Sequence, residues 1–372
     1  MQTRHLILFV IPFTCLLISF GLIQSKSETA TDFPKKDSLS IKIQYWLKEH
    51  NVPAASVALI KEGAISYFRT FGQQDPERPA SDSTLFLSAS IAKPMTAEIF
   101  LRLASQGKVD LDEPMAEYWL DPDLESDDRV YKLTPRHALT HETGFKNWRY
   151  QTEGKLRFER DPGTQMGYSG EGLLYLVRFL EKKLNKPFNQ IAQEVLFDPL
   201  AMKNASFVKQ DWYQGRLAWP KSPEDEWREP RVRNEAIGAG GLHTTSEDYA
   251  RFIISIMSGD GVSNDLRNEQ FTIARNQYAE CIRSAGDSTQ CPEKLGFGLG
   301  WYLYDFEDER IVGHTGANNG ERTLAVFSPE NKSGLVVMTN GAKGDHIIYR
   351  VAQYVGIHPK FIAIEKPSFV TL

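Results

Sequence analysis

A serine and a lysine three residues apart are the side chains of this sequence best suited to nucleophilic chemistry. They lie in the stretch Leu87-Ser-Ala-Ser-Ile-Ala-Lys-Pro-Met-Thr-Ala-Glu-Ile-Phe100. Residues three, four, seven and eleven positions apart share one face of a helix, and the face that begins at Ser90 continues with Lys93, Ala97, Phe100, Leu101 and Ala104. Burial disfavours the charged form of a lysine, and a neutral amine can accept the proton of a neighbouring serine hydroxyl. The pair therefore suits an activated serine nucleophile. The alternative is a lysine that covers part of the apolar face and extends its amine to water.

The start of this helix is restricted by Pro94, since proline is tolerated only in the first turn. We therefore expect the helix to begin near Ser90 or Ile91, where backbone N–H groups favour a developing negative charge. The opposite face is predicted to carry Glu98 and Arg102. Two further Ser-x-x-Lys matches occur in the chain, but only the first opens an apolar helix; the others are Ser105/Lys108 and Ser206/Lys209.

Composition excludes several classes of function. The chain has 372 residues and a formal net charge of −5, and it contains no basic run with interleaved aromatic residues, so no nucleic-acid partner is predicted. His137 and His141 are four residues apart and could share a metal on one helix face. Because no third ligand accompanies them, we interpret them as a structural pair and predict no metal site.

The N-terminal residues are typical of a targeting segment. Arg4 and His5 precede an apolar run over residues 6–23, which is long for a signal peptide and short for a membrane span. We predict a signal peptide over residues 1–25, a linker over 26–37, and a protein that is exported to the periplasm or secreted. The alternative is an uncleaved membrane anchor formed by residues 6–23.

Two cysteines, Cys281 and Cys291, remain after this segment and bracket a polar loop. Cysteines this close together in an exported chain predict a disulfide. The alternative is a pair of unrelated thiols.

The hydrophobic patterns predict an α+β fold. Helices are expected over 38–49, 171–184, 247–257 and, as the last helix, 345–354; strands are expected over 55–60, 64–71, 296–304, 310–314, 322–327 and 335–338. A two-stranded hairpin is rarely stable alone, so the N-terminal pair should join the C-terminal strands in one antiparallel sheet that both terminal helices cover. This organisation gives a sheet subdomain (38–80 and 292–358), a large, mostly helical insertion (81–291) and a C-terminal tail (359–372).

Several ordered motifs together resemble the serine β-lactamase and penicillin-binding-protein-like hydrolases, in the branch of class C β-lactamases, D-aminopeptidases and carboxylesterases. Ser90-Ile-Ala-Lys93 resembles the nucleophile motif, and Leu133-Thr-Pro-Arg-His-Ala-Leu-Thr-His-Glu-Thr-Gly144 resembles the segment usually written "LLTHTSG". Tyr168-Ser-Gly170 stands at the second motif, Tyr-x-Asn, and His314-Thr-Gly316 at the third, Lys-Thr-Gly or His-x-Gly. The similarity runs from about residue 40 to residue 342 and implies a β-lactamase-like fold.

The resemblance also implies roles for individual residues. Ser90 would attack an acyl carbon and form an acyl-enzyme, while Lys93 and Tyr168 would share the proton transfers, each with a pKa lowered by its partner and setting. Residues His314, Thr315, Gly316 and Ala317 would bind substrate, and the N–H groups of Ser90 and Ala317 would form the oxyanion hole. The resemblance implies no metal or organic cofactor, and the expected substrate is a small molecule or short peptide with an ester or amide bond.

Two departures from the family pattern affect the expected substrate. The second motif ends in Gly170, which has no side chain to contact a substrate amide, and the third begins with His314, which is mostly neutral at pH 7 where a lysine would be charged. Both changes argue against efficient β-lactam hydrolysis, and we expect neutral esters to be preferred. A D-Ala-D-Ala carboxypeptidase, a β-lactamase, and a non-catalytic binder or sensor that acylates and then stalls remain the alternatives.

Overall fold

An antiparallel sheet of eight strands dominates the structure, a computed structural model that describes residues 36–285 and 288–372. The strands, numbered in chain order, are β1 Ala54–Lys61, β2 Ala64–Gly72, β3 Phe86–Leu87, β4 His243–Thr244, β5 Arg275–Asn276, β6 Lys294–Phe297, β7 Tyr302–Asp305, β8 Arg310–Ala317, β9 Arg322–Ser328 and β10 Ser333–Thr339. Their order in the large sheet is β2-β1-β10-β9-β8-β7-β6-β5, and β3 pairs with β4 separately. The predicted signal peptide (1–25), the alternative anchor (6–23) and most of the linker (26–37) lie outside the described residues.

The N-terminal hairpin joins the C-terminal strands, as the sequence predicts. Strand β1 pairs with β10 from Ala55 opposite Thr339 to Ile60 opposite Gly334. Alternate residues of a strand face opposite sides of the sheet, and in β1 both sides are apolar and buried. The sheet therefore separates two cores.

The described part of the chain contains ten α-helices. They are α1 Lys36–His50, α2 Ala92–Ser105, α3 Pro135–Leu139, α4 Gly170–Leu184, α5 Phe188–Ala192, α6 Ser246–Met257, α7 Asn264–Gln270, α8 Tyr278–Ala285, α9 Asp345–Tyr354 and α10 Pro359–Glu365. Helices α1, α9 and α10 contribute to one core, and α2, α4 and α6 to the other. The predicted α+β arrangement, with both terminal helices on one face, is confirmed. No helix in residues 36–285 or 288–372 is long and apolar enough to cross a membrane.

The single strand predicted over 296–304 is wrong, because this segment forms the hairpin of β6 and β7. Gly298 and Gly300 lie in the connection, and Gly300 has a φ of +89°, which favours glycine. A Cβ atom at Gly300 would collide with the methyl group of Ala97 in α2. The turn therefore brings the sheet into direct contact with the helix that carries Lys93.

Residues 359–372, predicted as a tail, contain a further helix, so 345–354 is not the last one. Helix α10 begins at Pro359, a residue well suited to a first helical turn. It buries Phe361 and Ile362, and the hydroxyl of Tyr304 donates a hydrogen bond to Glu365 at 2.7 Å. The segment has too few apolar residues to show a helical period in the sequence.

The face of α2 that was predicted to carry Glu98 and Arg102 is also buried. Glu98 is 0% exposed, and its carboxylate accepts hydrogen bonds from Arg102 at 3.0 Å and from Arg267 of α7 at 2.7 Å. Two guanidinium groups offset the cost of burying this carboxylate. Helix α2 is therefore enclosed on all sides, which explains how Lys93 is kept from water.

The structure contains a disulfide between Cys281 in α8 and Cys291, which precedes β6. Both cysteines are buried in the core that α1, α9 and α10 cover. The covalent link therefore connects α8 to the end of the sheet at which β5 and β6 pair.

Replacing both cysteines by serine should lower the free energy of unfolding by about 2–3 kcal/mol, because the bond closes a loop of about 11 residues in the unfolded chain. Urea denaturation of oxidised wild type and of Cys281→Ser/Cys291→Ser measures the difference. A reductant should shift the wild-type curve and leave the variant unchanged. Two thiols that react freely with an alkylating reagent in the oxidised protein would contradict the expectation.

Candidate active site

Ser90 lies in a short 3-10 turn, Ala89–Ile91, that leads directly into α2. Its predecessor Ala89 has a φ of +48°, a left-handed conformation that is unfavourable for a residue with a Cβ atom. The turn is held from several sides, since the hydroxyl of Tyr249 donates to the carbonyl of Ile91 at 2.7 Å and that of Thr323 donates to the carbonyl of Ser88 at 2.8 Å. Such restraints maintain a strained backbone at a functional position.

Lys93 lies one turn further along, and its amine is enclosed behind Ser90. A hydrogen bond of 3.0 Å joins its Nζ atom to Ser90 Oγ, and the amine donates a second hydrogen bond of 2.7 Å to the carbonyl of Ala239. Lys93 is only 1% exposed. In the described residues no carboxylate lies within ion-pair distance of its amine.

Burial without a counter-ion lowers the pKa of Lys93 from 10.5 to about 7. A large fraction of the amine is therefore neutral near physiological pH. A neutral amine 3.0 Å from a hydroxyl oxygen can accept its proton. The geometry supports the predicted role of Lys93 as the base that activates Ser90.

Tyr168 approaches the same pair from the segment before α4. The Nζ atom of Lys93 lies 4.8 Å from the centroid of its ring, and its hydroxyl lies close to the Ser90 side chain. The prediction that its neighbours lower its pKa is wrong, because burial raises the pKa of Tyr168 to about 12, against a smaller opposing effect of Ser90. Tyr168 is therefore a protonated phenol near neutral pH, suited to donating a proton.

His141 is a site residue that the sequence analysis assigned to a structural pair with His137. It follows α3 with a φ of +59°, is 1% exposed, and its ring lies 4.4 Å from that of Tyr168. Its Nδ1 atom accepts a hydrogen bond of 3.2 Å from the N–H of Ser169, which fixes the segment that carries Tyr168. Burial lowers the pKa of His141 well below its ordinary value, so the ring is neutral.

The two histidines, His137 and His141, do not share a ligand position. The Nδ1 atom of His137 lies 3.2 Å from Thr134 at the start of α3, whereas His141 contacts Tyr168. Among residues 36–285 and 288–372, no group of three His, Cys, Asp or Glu residues could hold a metal ion. The position of His141 in the segment that resembles "LLTHTSG" was the feature of the sequence that could have placed it near Tyr168.

His314 lies behind the cavity in front of Ser90, and it does not line that cavity as its predicted contact with a substrate carboxylate requires. It is 2% exposed, and its Nδ1 atom donates a hydrogen bond of 2.6 Å to the carbonyl of Thr315. Burial, together with the charge of Lys93, lowers the pKa of His314 to about 3. The side chain is therefore neutral at any physiological pH.

The register of the sheet sets the direction of the N–H of Ala317, a predicted oxyanion donor. In antiparallel pairs, hydrogen-bonded and non-hydrogen-bonded positions alternate. Asn318 donates to Glu321 at 3.0 Å, so the next pair, Ala317 opposite Arg322, is a non-hydrogen-bonded pair. The N–H of Ala317 therefore points away from β9, to the side where β7 pairing has ended at Gly313.

Gly316 allows β8 to approach the Ser90 turn. A Cβ atom at this position would lie 2.8 Å from the carbonyl of Ser88 and 3.0 Å from the backbone nitrogen of Ser90, as well as against the hydroxyl of Thr323. Any side chain here would separate the two predicted oxyanion donors. Thr315 is half-buried beside Gly316.

A cavity of about 510 Å³ opens in front of Ser90. One wall carries Trp148, whose indole carbons lie 2.5–2.8 Å from the place where a Cβ atom of Gly170 would stand. Asn147 lines the same wall, and its Oδ1 atom accepts a hydrogen bond of 2.8 Å from the N–H of Gly170. The side chain missing from Gly170 is thus replaced by an indole and an amide from the preceding loop, which no motif in the sequence indicated.

Comparisons with known proteins agree with this geometry. D-alanyl-D-alanine-carboxypeptidase/endopeptidase AmpH of Escherichia coli K12 is 25% identical over 315 residues, which cover 77% of this chain and 79% of that protein. A beta-lactamase of the same organism is 24% identical over 343 residues, covering 79% and 85% of the two chains.

Solved structures show the same fold. The octameric penicillin-binding protein homologue from Pyrococcus abyssi superposes with a TM-score of 0.72 at 20% identity, covering 91% of this chain and 80% of that one. A class C beta-lactamase gives a TM-score of 0.69 at 19% identity, covering 86% and 95%. The Beta-lactamase family model matches residues 34–353, a span that includes all three motifs and both sides of the cavity. This chain is therefore a member of the beta-lactamase family and a serine hydrolase.

Proposed function

We propose that the protein is an exported hydrolase that cleaves an ester or amide of a small molecule or short peptide through an acyl-enzyme on Ser90. The observation that carries the proposal is the buried amine of Lys93, which has a pKa of about 7 and lies 3.0 Å from Ser90 Oγ. The disulfide supports export, because such bonds persist in oxidising compartments.

In the acylation step, neutral Lys93 accepts the hydroxyl proton of Ser90 as Oγ bonds to the carbonyl carbon of the substrate. The carbonyl oxygen becomes an oxyanion, which the N–H groups of Ser90 and Ala317 stabilise. Collapse of this intermediate breaks the bond to the leaving group. Tyr168, a protonated phenol close to the Ser90 side chain, donates the proton that the leaving group needs and is reprotonated by Lys93.

Deacylation repeats the same proton transfers with water in place of the serine. Lys93 accepts a proton from water as the water oxygen bonds to the acyl carbon, and Ser90 leaves with a proton returned through Tyr168. The neutral rings of His141 and His314 add no positive charge near Lys93. This neutrality helps to keep the pKa of the amine low enough for it to act as a base.

The walls of the cavity support a substrate other than a penicillin. Trp148 occupies the volume beside Gly170, and neutral His314 supplies no charge at the third motif, where a lysine would hold a carboxylate near the bond that is cleaved. A carboxypeptidase is the second candidate, because the relative from Escherichia coli is named as one. A protein that acylates and then stalls is distinguished from both by its lack of turnover.

Ser90→Ala should abolish hydrolysis of 4-nitrophenyl acetate and labelling by a serine-directed phosphonate, since Ser90 carries the hydroxyl that is hydrogen-bonded to the amine of Lys93. Ser105→Ala is the matched control, because Ser105 is exposed in the second Ser-x-x-Lys match, and it should label normally. Labelling is measured by intact mass. A labelled Ser90→Ala variant would contradict the mechanism, and a wild type that labels without turnover would identify the stalled binder.

The activity should depend on the neutral form of Lys93. Since the folded pKa is about 7, log kcat/KM for a neutral ester should rise with a slope near one up to about pH 7 and be level above it. Lys93→Ala should lose about 10²–10⁴-fold in rate on the plateau above pH 7, and its profile should lack the slope below pH 7. A wild-type profile that stays flat from pH 5.5 to 8.5 would contradict the role of Lys93 as the base.

Restoring an asparagine to the second motif should fail unless Trp148 is also removed. In Gly170→Asn, the new side chain meets the indole at 2.5–2.8 Å, and overpacking costs about 1–3 kcal/mol. The double variant Trp148→Ala/Gly170→Asn should recover stability and esterase activity relative to Gly170→Asn alone. Thermal unfolding and kcat/KM test this coupling, and additive effects of the two substitutions would contradict it.

A further inference from the structure

The cavity in front of Ser90 contains two positive charges that the proposed reaction does not use. Arg231 and Arg233, on the loop before the Gly238-Ala-Gly-Gly segment, both line the cavity and are both exposed. Among the described residues that line it, they are the only charged side chains, and no carboxylate lines it. The electrostatic potential of the cavity is therefore positive on this side.

Neither arginine has a carboxylate partner within ion-pair distance in the part of the chain that the structure describes. Nearby arginines differ: Arg149 pairs with Asp121 at 2.6 Å, and Arg178 pairs with Glu235 at 2.6 Å.

One carboxyl group does respond to the charge of Arg231. The positive charge of Arg231 tends to lower the pKa of Glu321, but burial has the larger effect and raises it. Glu321 is 6% exposed and its Oε2 atom accepts a hydrogen bond of 3.2 Å from the N–H of Gly320. The carboxylate of Glu321 is therefore already hydrogen-bonded within the turn between β8 and β9.

Arg233 also lines a second cavity of about 640 Å³, together with Ile237. The two cavities therefore meet at these residues. A group bound by Arg233 would lie where the two cavities meet, whereas Ser90 lines only the first cavity. The backbone there is restrained, because the carbonyl of Arg233 accepts a hydrogen bond of 2.6 Å from the N–H of Lys209.

We propose that Arg231 and Arg233 bind a carboxylate on the substrate, at a distance from the bond that is cleaved. The planar guanidinium group presents paired donors that match the two oxygens of a carboxylate. Since His314 is neutral and lies behind the cavity, these arginines supply the positive charge for recognition in its place. This inference rests on the proposed function and specifies the substrate class as an acidic ester or amide, in place of the neutral esters expected from Gly170 and His314 alone.

The test compares two esters that differ only in charge at the far end of the acyl chain, mono-4-nitrophenyl adipate and 4-nitrophenyl hexanoate. Wild type should prefer the adipate by about 5- to 50-fold in kcat/KM, the range expected for two partly exposed charge-assisted contacts. A second pair, 3-carboxyphenyl hexanoate and phenyl hexanoate, places the charge on the leaving group. Uncatalysed hydrolysis is subtracted in each case.

Arg231→Gln and Arg233→Gln should each reduce the preference, and the double variant should abolish it while hydrolysing the neutral esters within about twofold of wild type. Arg228→Gln is the matched control, because Arg228 is an exposed arginine of the same loop that pairs with Glu224 at 3.3 Å and does not line the cavity. Added NaCl should reduce the preference of wild type and of this control, because salt screens exposed charges.

The inference is overturned if neither ester pair shows a preference for the acidic member, or if the double variant retains the preference. It is also overturned if the double variant lowers the rates for acidic and neutral esters equally. Failure of the proposed function would look different: the neutral esters would not be hydrolysed, or Ser90→Ala would still hydrolyse them.

Discussion

Exclusion of water from the amine of Lys93 is the condition on which the rest of the site depends. An ammonium group in this position would hold its proton and leave Ser90 an ordinary alcohol. The enclosure requires that α2 be covered on every side, including the face that carries Glu98, and this is achieved by two arginines that accompany the carboxylate. The surrounding rings of His141, Tyr168 and His314 are uncharged for the same reason, since burial disfavours the ionised form of each.

The second requirement is that backbone groups approach closely. The turn at Ser90 and the edge of β8 come together because Gly316 has no side chain, and the left-handed conformation of Ala89 turns the chain toward that edge. The sheet register directs the N–H of Ala317 to the same side. The developing charge would thus meet donors whose positions follow from main-chain geometry, which needs little rearrangement during the reaction.

The sequence was informative where periodicity or motif order was strong. The sequence predicted the helix that carries Lys93 and begins just after Ser90. It also predicted the disulfide and the joining of the N-terminal hairpin to the C-terminal strands. The strand over 296–304 was not, because the role of Gly300 becomes evident only when its contact with Ala97 is known. The direction of the pKa shift of Tyr168 depends on how deeply the ring is buried, which a motif does not report. Residues of irregular loops, such as Asn147 and Arg231, have no period that could assign them to a cavity.

Gly170 contacts the side chain of Trp148 in the wall of the cavity. Gly316, by contrast, lies against the backbone of the Ser90 turn, and Gly300 lies against helix α2. These two kinds of contact have different freedom to vary during evolution. Loop side chains around the cavity can be exchanged without moving Ser90 or its donors, so new substrates are accessible by few mutations. A substitution at Gly316 or Gly300 would instead displace the reacting atoms, whatever the substrate. The molecule therefore separates the part that can adapt from the part that every descendant with this chemistry must retain.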